Sequence, residues 1–311
     1  MPSTVLDLAG PLALLGSLTI QLYDYHNAAG RTRNPDRVAI KILVYGLYLV
    51  ELAQTLVITQ FGWQCLILNF GNVDDLIVTP LSVAVTPVLN GVVATAVQFF
   101  FAWRIWQLTP STIGRVAVAL IIAVSLLQFS GTVGVTVYAL LETNFAEITK
   151  VTVFADMWLG GGFVCDIIIA GTLTTILWRA KCRSGLESTE TILNRLIINT
   201  VETGAITATL ALIELALFKT MPETYYHITI EYILGRMYSN VLLATLNGRH
   251  RSRNASENVI NNFGTSAMEV ATTTELRSYV ARHSDNAAVV ISTTVHTDEI
   301  DHPYSQKVTS L

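Results

Sequence analysis

Six ionisable side chains stand inside long apolar runs of this 311-residue chain: Glu51, Asp166, Glu202, Glu214, Glu231 and Arg236. A charge in hydrocarbon is costly, so such residues pair with one another, face the interior of a helical bundle, or line a path for ions. Arg236 is the one base and sits near the middle of its run. Asp166 lies at a similar depth, and Glu202 about one turn further toward the arginine-rich side at 1.5 Å per residue. Either acid is placed to pair with Arg236, and Glu51 is a third candidate. Ser239 and Asn240 follow Arg236 at i+3 and i+4, so all three fall on or near one helical face.

Two readings of this cluster stay open. In the first, Asp166, Glu202, Arg236, Glu51, Ser239 and Asn240 form a polar relay or a site for a cationic or polar ligand. In the second, an interhelical ion pair fixes helix register, and Ser239 and Asn240 add modest hydrogen bonds to neighbouring helices. Glu214 and Glu231 lie nearer the opposite end, where solvated vestibule residues are expected. Asp74, Asp75, Glu223 and His227 also fall on that side. No HExxH or clustered His/Cys pattern makes them a metal site. No nucleophile–base pair, phosphate loop or cofactor motif is present either, so neither an enzyme nor a bound cofactor is expected.

The elements that must position these residues are transmembrane helices. Hydrophobic residues make up 51% of the chain and charged ones 14%, against about 25% charged in soluble domains. The apolar residues come in blocks of about the 20 needed to cross a bilayer. The expected fold is an all-α integral membrane protein of seven spans. They run at about 6–25, 39–61, 80–108, 116–141, 154–178, 193–218 and 225–246. The first run has no basic residue before it and reads as a retained span rather than a cleaved leader. Pro87 lies in the first turns of the third run, where a kink is tolerable. Gly160-Gly161-Gly162 permits close backbone approach in the fifth. The stretch 62–79 between the second and third runs is apolar but broken, and could fold back over the bundle mouth.

Lysine and arginine set the orientation. Arg31, Arg33, Arg37, Lys41, Arg104, Arg115, Arg179, Lys181, Arg183, Arg195, Arg249, Arg251 and Arg253 would share one side. Only Lys150 and Lys219 fall on the other. Thirteen against two places the N-terminus outside and the C-terminus in the cytoplasm. Trp63, Trp103, Trp106, Trp158, Trp178, Tyr225 and Tyr226 fall near span ends, as interfacial belts require. The domain division is then 1–250 bundle and 251–311 tail. The tail is polar, is expected to be mostly disordered, and is the natural place for a cytoplasmic partner. Its Ala288–Val295 stretch is β-branched enough to add to a partner's sheet edge. Asn254-Ala255-Ser256 has the form of a glycosylation acceptor but falls on the cytoplasmic side. Cys65, Cys165 and Cys182 are scattered and make no disulfide framework.

Several motifs go further. Leu193-Asn194-Arg195-Leu196-Ile197, Glu202-Thr203-Gly204, Tyr232 to Asn240, and Leu243-Ala244-Thr245-Leu246-Asn247 resemble the DUF6534 domain proteins, a large family of fungal membrane proteins abundant in mushroom-forming fungi. Phe99 to Ile105 and Asn69-Phe70-Gly71-Asn72 add to the likeness, which extends over roughly residues 10–250. The resemblance implies a seven-span fold and no assigned biochemical activity.

The function expected is that of a membrane protein whose first partner is the bilayer, with the plasma membrane as its compartment. A receptor-like sensor of an unknown ligand stands first on topology. A proton-coupled or small-solute transporter using the intramembrane carboxylates is the alternative, and a non-catalytic scaffold the third. The last run offers no lysine for a retinal Schiff base, and Lys219 ends the sixth too far from its middle. Cys65 has no mate in the loops for the disulfide that rhodopsin-like receptors use. Internal repeats and matched broken helices, the marks of many transporters, are not visible. Nucleic acid is not an expected partner, because topology accounts for the basic residues.

Overall fold

A computed structural model describes residues 2–31, 36–68, 81–109, 111–141, 148–184, 187–221 and 226–248. These residues form seven helices: α1 (Pro2–Arg31), α2 (Val38–Trp63), α3 (Leu81–Leu108), α4 (Thr112–Leu141), α5 (Ile148–Ser184), α6 (Glu187–Thr220) and α7 (226–248). A π-helical turn, Gln64–Leu68, extends α2. The chain divides into units 1–254 and 255–311. The expected tail, Asp74, Asp75, Glu223 and most of the 62–79 connection lie outside the described residues.

Each helix runs from within a residue to several residues beyond the ends expected from hydropathy. Five are long and apolar enough to cross a membrane, over Val38–Trp63, Ala84–Leu108, Thr112–Leu141, Val151–Cys182 and Leu196–Thr220. The other two are more polar: α1 carries Gln21, Asp24 and His26, and α7 carries His227, Glu231, Arg236 and Asn240. For α7 the reason is position. Most of it from Glu231 to Leu246 is buried, so its side chains meet protein rather than lipid.

The bundle inverts the arrangement of a soluble protein. The inward stripe of α2 is Ile40, Val44, Leu47, Glu51, Gln54, Ile58 and Gly62, spaced three and four apart as one helical face requires. Its outward face presents Ile42, Leu49 and Leu56, each about two-thirds exposed or more. Helix α4 repeats the pattern, with Ser125, Gln128, Thr132 and Thr136 inside and Ile113, Val116, Leu120 and Leu127 outside. Exposed apolar surface on this scale fits lipid rather than water. The interior stays cohesive through small residues and polar bonds. A Cβ on Gly131 would stand 2.7 Å from the Phe154 carbonyl and 2.8 Å from the Trp158 amide, so glycine sets the close crossing of α4 and α5. Gly161 and Gly162 lie against Gln128 at the same crossing, whereas Gly160 faces open space.

Trp63, Trp106, Trp178 and Tyr226 are half exposed or more near helix ends. Arg37 stacks over Trp103 at 5.7 Å and Arg115 over Trp106 at 5.6 Å, which holds basic and aromatic residues together at one end of the bundle. At the other end Lys219 pairs with Asp156 at 2.6 Å, joining α6 to α5.

Candidate functional site

Helix α7 is the hub, and each of its faces meets a different neighbour. Toward α2, Ser239 Oγ donates to Glu51 Oε1 at 2.6 Å. On the same face Arg236 Nη2 donates to Thr55 Oγ1 at 2.9 Å, and Nη1 donates to the Tyr232 carbonyl at 3.3 Å. Arg236 Nε stands 3.9 Å from Glu51 Oε2. Arg236 and Glu51 are 1% and 0% exposed, so this is a fully buried pair of opposite charge. Of Asp166, Glu202 and Glu51, it is Glu51 that Arg236 meets.

Toward α1, Asn240 Nδ2 donates to the Leu14 carbonyl at 3.2 Å, and its Oδ1 accepts from Gln21 Nε2 at 3.1 Å. Ser239 and Asn240 thus bond to two different helices. Both behave as interhelical ties, as side chains one residue apart do when they diverge around a helix.

Toward α3, Asn90 Nδ2 donates to Glu231 Oε1 at 3.1 Å. The Gln54 amide bridges the two clusters. With its nitrogen toward α3 it donates to Asn90 Oδ1 at 2.9 Å. Turned over, the same nitrogen donates to Glu51 Oε2 at 3.3 Å, and the oxygen accepts from the Asn90 main-chain amide at 3.1 Å. Glu51, Gln54, Asn90 and Glu231 therefore form one hydrogen-bonded chain across α2, α3 and α7. Gly235 makes room for it, since a Cβ there would strike Asn90 Oδ1.

Toward α5, Tyr238 Oη donates to Asp166 Oδ2 at 2.9 Å, and Thr207 of α6 bonds the same carboxyl. Two small cavities flank Tyr238. One, of about 30 Å³, is bordered by Asp166, Thr200, Thr203 and Gln98. The other, of about 20 Å³, is bordered by Glu214, Glu231, Asn90 and Gln128. A void of roughly 10–15 Å³ holds a water when polar groups surround it, so each has space for at least one. Glu214 Oε2 is buried without a protein partner beside the second cavity.

Two expectations need correction. Glu214 and Glu231 are 2% and 7% exposed rather than solvated, because α5 and α6 continue past them and cover the outer turns of α7. Glu202 faces outward and is exposed. It shares depth with the cluster but points away from α7, so it joins neither Arg236 nor Asp166. Gln54, Thr55, Asn90 and Tyr238 were not anticipated. A signal existed for two of them: Gln54 follows Glu51 at i+3, and Asn90 interrupts an otherwise apolar run.

His227 packs edge-on against Phe218 at 5.5 Å. Among the described residues no group of three His, Cys, Asp or Glu side chains is arranged to hold a metal ion.

Helices with lipid-compatible outer faces around a charged, hydrogen-bonded interior define a multi-pass α-helical membrane protein. Within it, residues 162–251 match the model described as Family of unknown function (DUF6534), so the chain carries a DUF6534 segment, as its motifs indicated. The match runs from mid-α5 through α7 rather than over 10–250. It takes in Asp166, Glu214, Glu231 and Arg236 and leaves out Glu51 and Asn90. Comparison with curated proteins and with solved structures returns no match.

Proposed function

We propose that this is a seven-helix membrane protein, N-terminus outside and C-terminus in the cytoplasm, whose interior passes protons in a transport cycle. The observation that carries this reading is the connected polar column around α7. Three buried carboxyls, Glu231, Glu214 and Asp166, border water-sized cavities that meet at Tyr238, and Asn90 and Gln54 tie Glu231 to the Glu51–Arg236 pair. Carboxyls, tyrosine hydroxyls and ordered waters are the groups that hand protons on inside membranes. In each transfer one oxygen–hydrogen bond breaks at the donor as another forms at the acceptor, so the column needs no further reactant.

A receptor-like sensor has the spans and the tail in its favour, but topology by itself does not carry function. No single side chain among those described favours it.

The test is proton flux. Purified protein goes into liposomes loaded with a pH-sensitive dye, and a pH gradient is imposed. Wild type should dissipate the gradient, while Asp166→Asn and Glu231→Gln, both folded, should hold it. A flat wild-type trace from folded protein overturns the proposal.

A further inference from the structure

A separate feature lies at the arginine-rich end of the bundle, away from the polar column. Helices α4 and α5 run antiparallel and touch most closely at Gly131 against Phe154 and Trp158. They remain in contact at Cys165, whose Sγ lies 3.9 Å from the Ile121 carbonyl. Beyond that point they part. Between the start of α4 and the end of α5, beside the end of α3, the structure has a wedge of about 510 Å³. This is within the range of roughly 300–1,000 Å³ usual for small-molecule sites.

The wedge is amphipathic along its length. Its deeper part is bordered by Ala117, Gly171 and Ile176, and its mouth by Thr109, Ser111 and Arg179. Arg179 is exposed, and no carboxylate among the described residues borders the space. Arg115, the residue after Gly114, stacks on Trp106. The lower walls therefore suit a hydrocarbon chain, and the rim offers a guanidinium fork and hydroxyls. Guanidinium groups grip phosphate through two parallel hydrogen bonds. Basic recesses between helices on the cytoplasmic side are where anionic headgroups lodge.

We propose that the α4–α5 wedge binds one anionic phospholipid of the arginine-rich leaflet. The phosphate and its acidic headgroup lie at Arg179 and Ser111, and one acyl chain runs past Gly171 and Ile176. The Arg179 guanidinium disfavours a choline cation there and selects net negative charge. The proposal is independent of proton passage, because none of its residues belongs to the polar column.

Gly171 supplies a clean probe. A Cβ there would meet nothing within 4 Å, so a leucine at this position fills the wedge without disturbing the packing. The full chain, purified in a neutral detergent, is titrated with phosphatidylglycerol, phosphatidylcholine or inorganic phosphate while native mass spectrometry counts what stays bound. Wild type should retain one phosphatidylglycerol, about tenfold more tightly than phosphatidylcholine, because both phosphates reach Arg179 but only choline brings a cation against it. Arg179→Gln should bring the two lipids level, and Gly171→Leu should weaken both. Equal binding of the two lipids by wild type overturns the proposal, as does a preference that survives both variants. Displacement of phosphatidylglycerol by inorganic phosphate at matching concentration also overturns it, by showing a site for a free anion.

Discussion

The two sides of α7 treat buried acids differently. On the α2 side, Glu51 faces a guanidinium and accepts from Ser239. On the α5–α6 side, Asp166 accepts from Tyr238 and Thr207, and Glu214 and Glu231 share a cavity border with amides and no base. A buried charge next to its opposite is held in place, and removing either partner leaves the other uncompensated. An acid surrounded by hydroxyls, amides and space for water can lose or gain a proton with little rearrangement. One helix thus carries a lock on one face and a relay on another. Burial alone does not separate the two, since all four acids are nearly inaccessible.

The largest effect should come from breaking the lock. Arg236→Leu strands the Glu51 carboxylate and should cost about 3–5 kcal/mol, enough to deplete folded protein, measured as the thermal midpoint of detergent-solubilised material. Adding Glu51→Gln should recover most of that loss. Asp166→Asn should keep the midpoint near wild type, because an amide still accepts from Tyr238. If Arg236→Leu proves no worse than Asp166→Asn, the two faces are alike and the distinction fails.

The next test cuts the connection between them. Gly235→Ala places a methyl against Asn90 Oδ1, so the amide must turn away from Glu231 and Gln54. Overpacking of this kind costs about 1–3 kcal/mol, less than stranding a charge. The expected outcome is a folded protein with slowed gradient dissipation in the dye assay. Unchanged flux would show that the Gln54–Asn90 bridge does not orient a carboxyl on the proton path.

These contrasts also show what could be read from the chain. The helices were legible because runs of about 20 apolar residues are set by bilayer thickness. Arg236 was legible because a lone base in such a run is conspicuous. Its partner was not, because sequence spacing gives depth along a helix more readily than direction around it. Asp166 and Glu202 matched Arg236 in depth; Glu51 matched in direction. The amides of Gln54 and Asn90 were passed over because neutral side chains raise no charge signal, although they carry the bridge. The distance of Glu214 and Glu231 from the membrane centre predicts solvation, whereas the packing around them buries both.

The smallest effect belongs to Glu202, and it is diagnostic for that reason. Depth along the membrane would make it a member of the polar column, whereas its outward direction excludes it. Glu202→Gln should leave the thermal midpoint within about 0.5 kcal/mol of wild type, as outward substitutions do, and gradient dissipation unchanged. Its neighbours make the comparison sharp: Thr200 and Thr203, within one turn, border the Asp166 cavity, so any general disturbance of this part of α6 would register in flux. Loss of flux in Glu202→Gln would mean that the path leaves the bundle interior and emerges along α6 at the cytoplasmic side. In that case direction around the helix would not be what separates the acids that carry protons from those that do not.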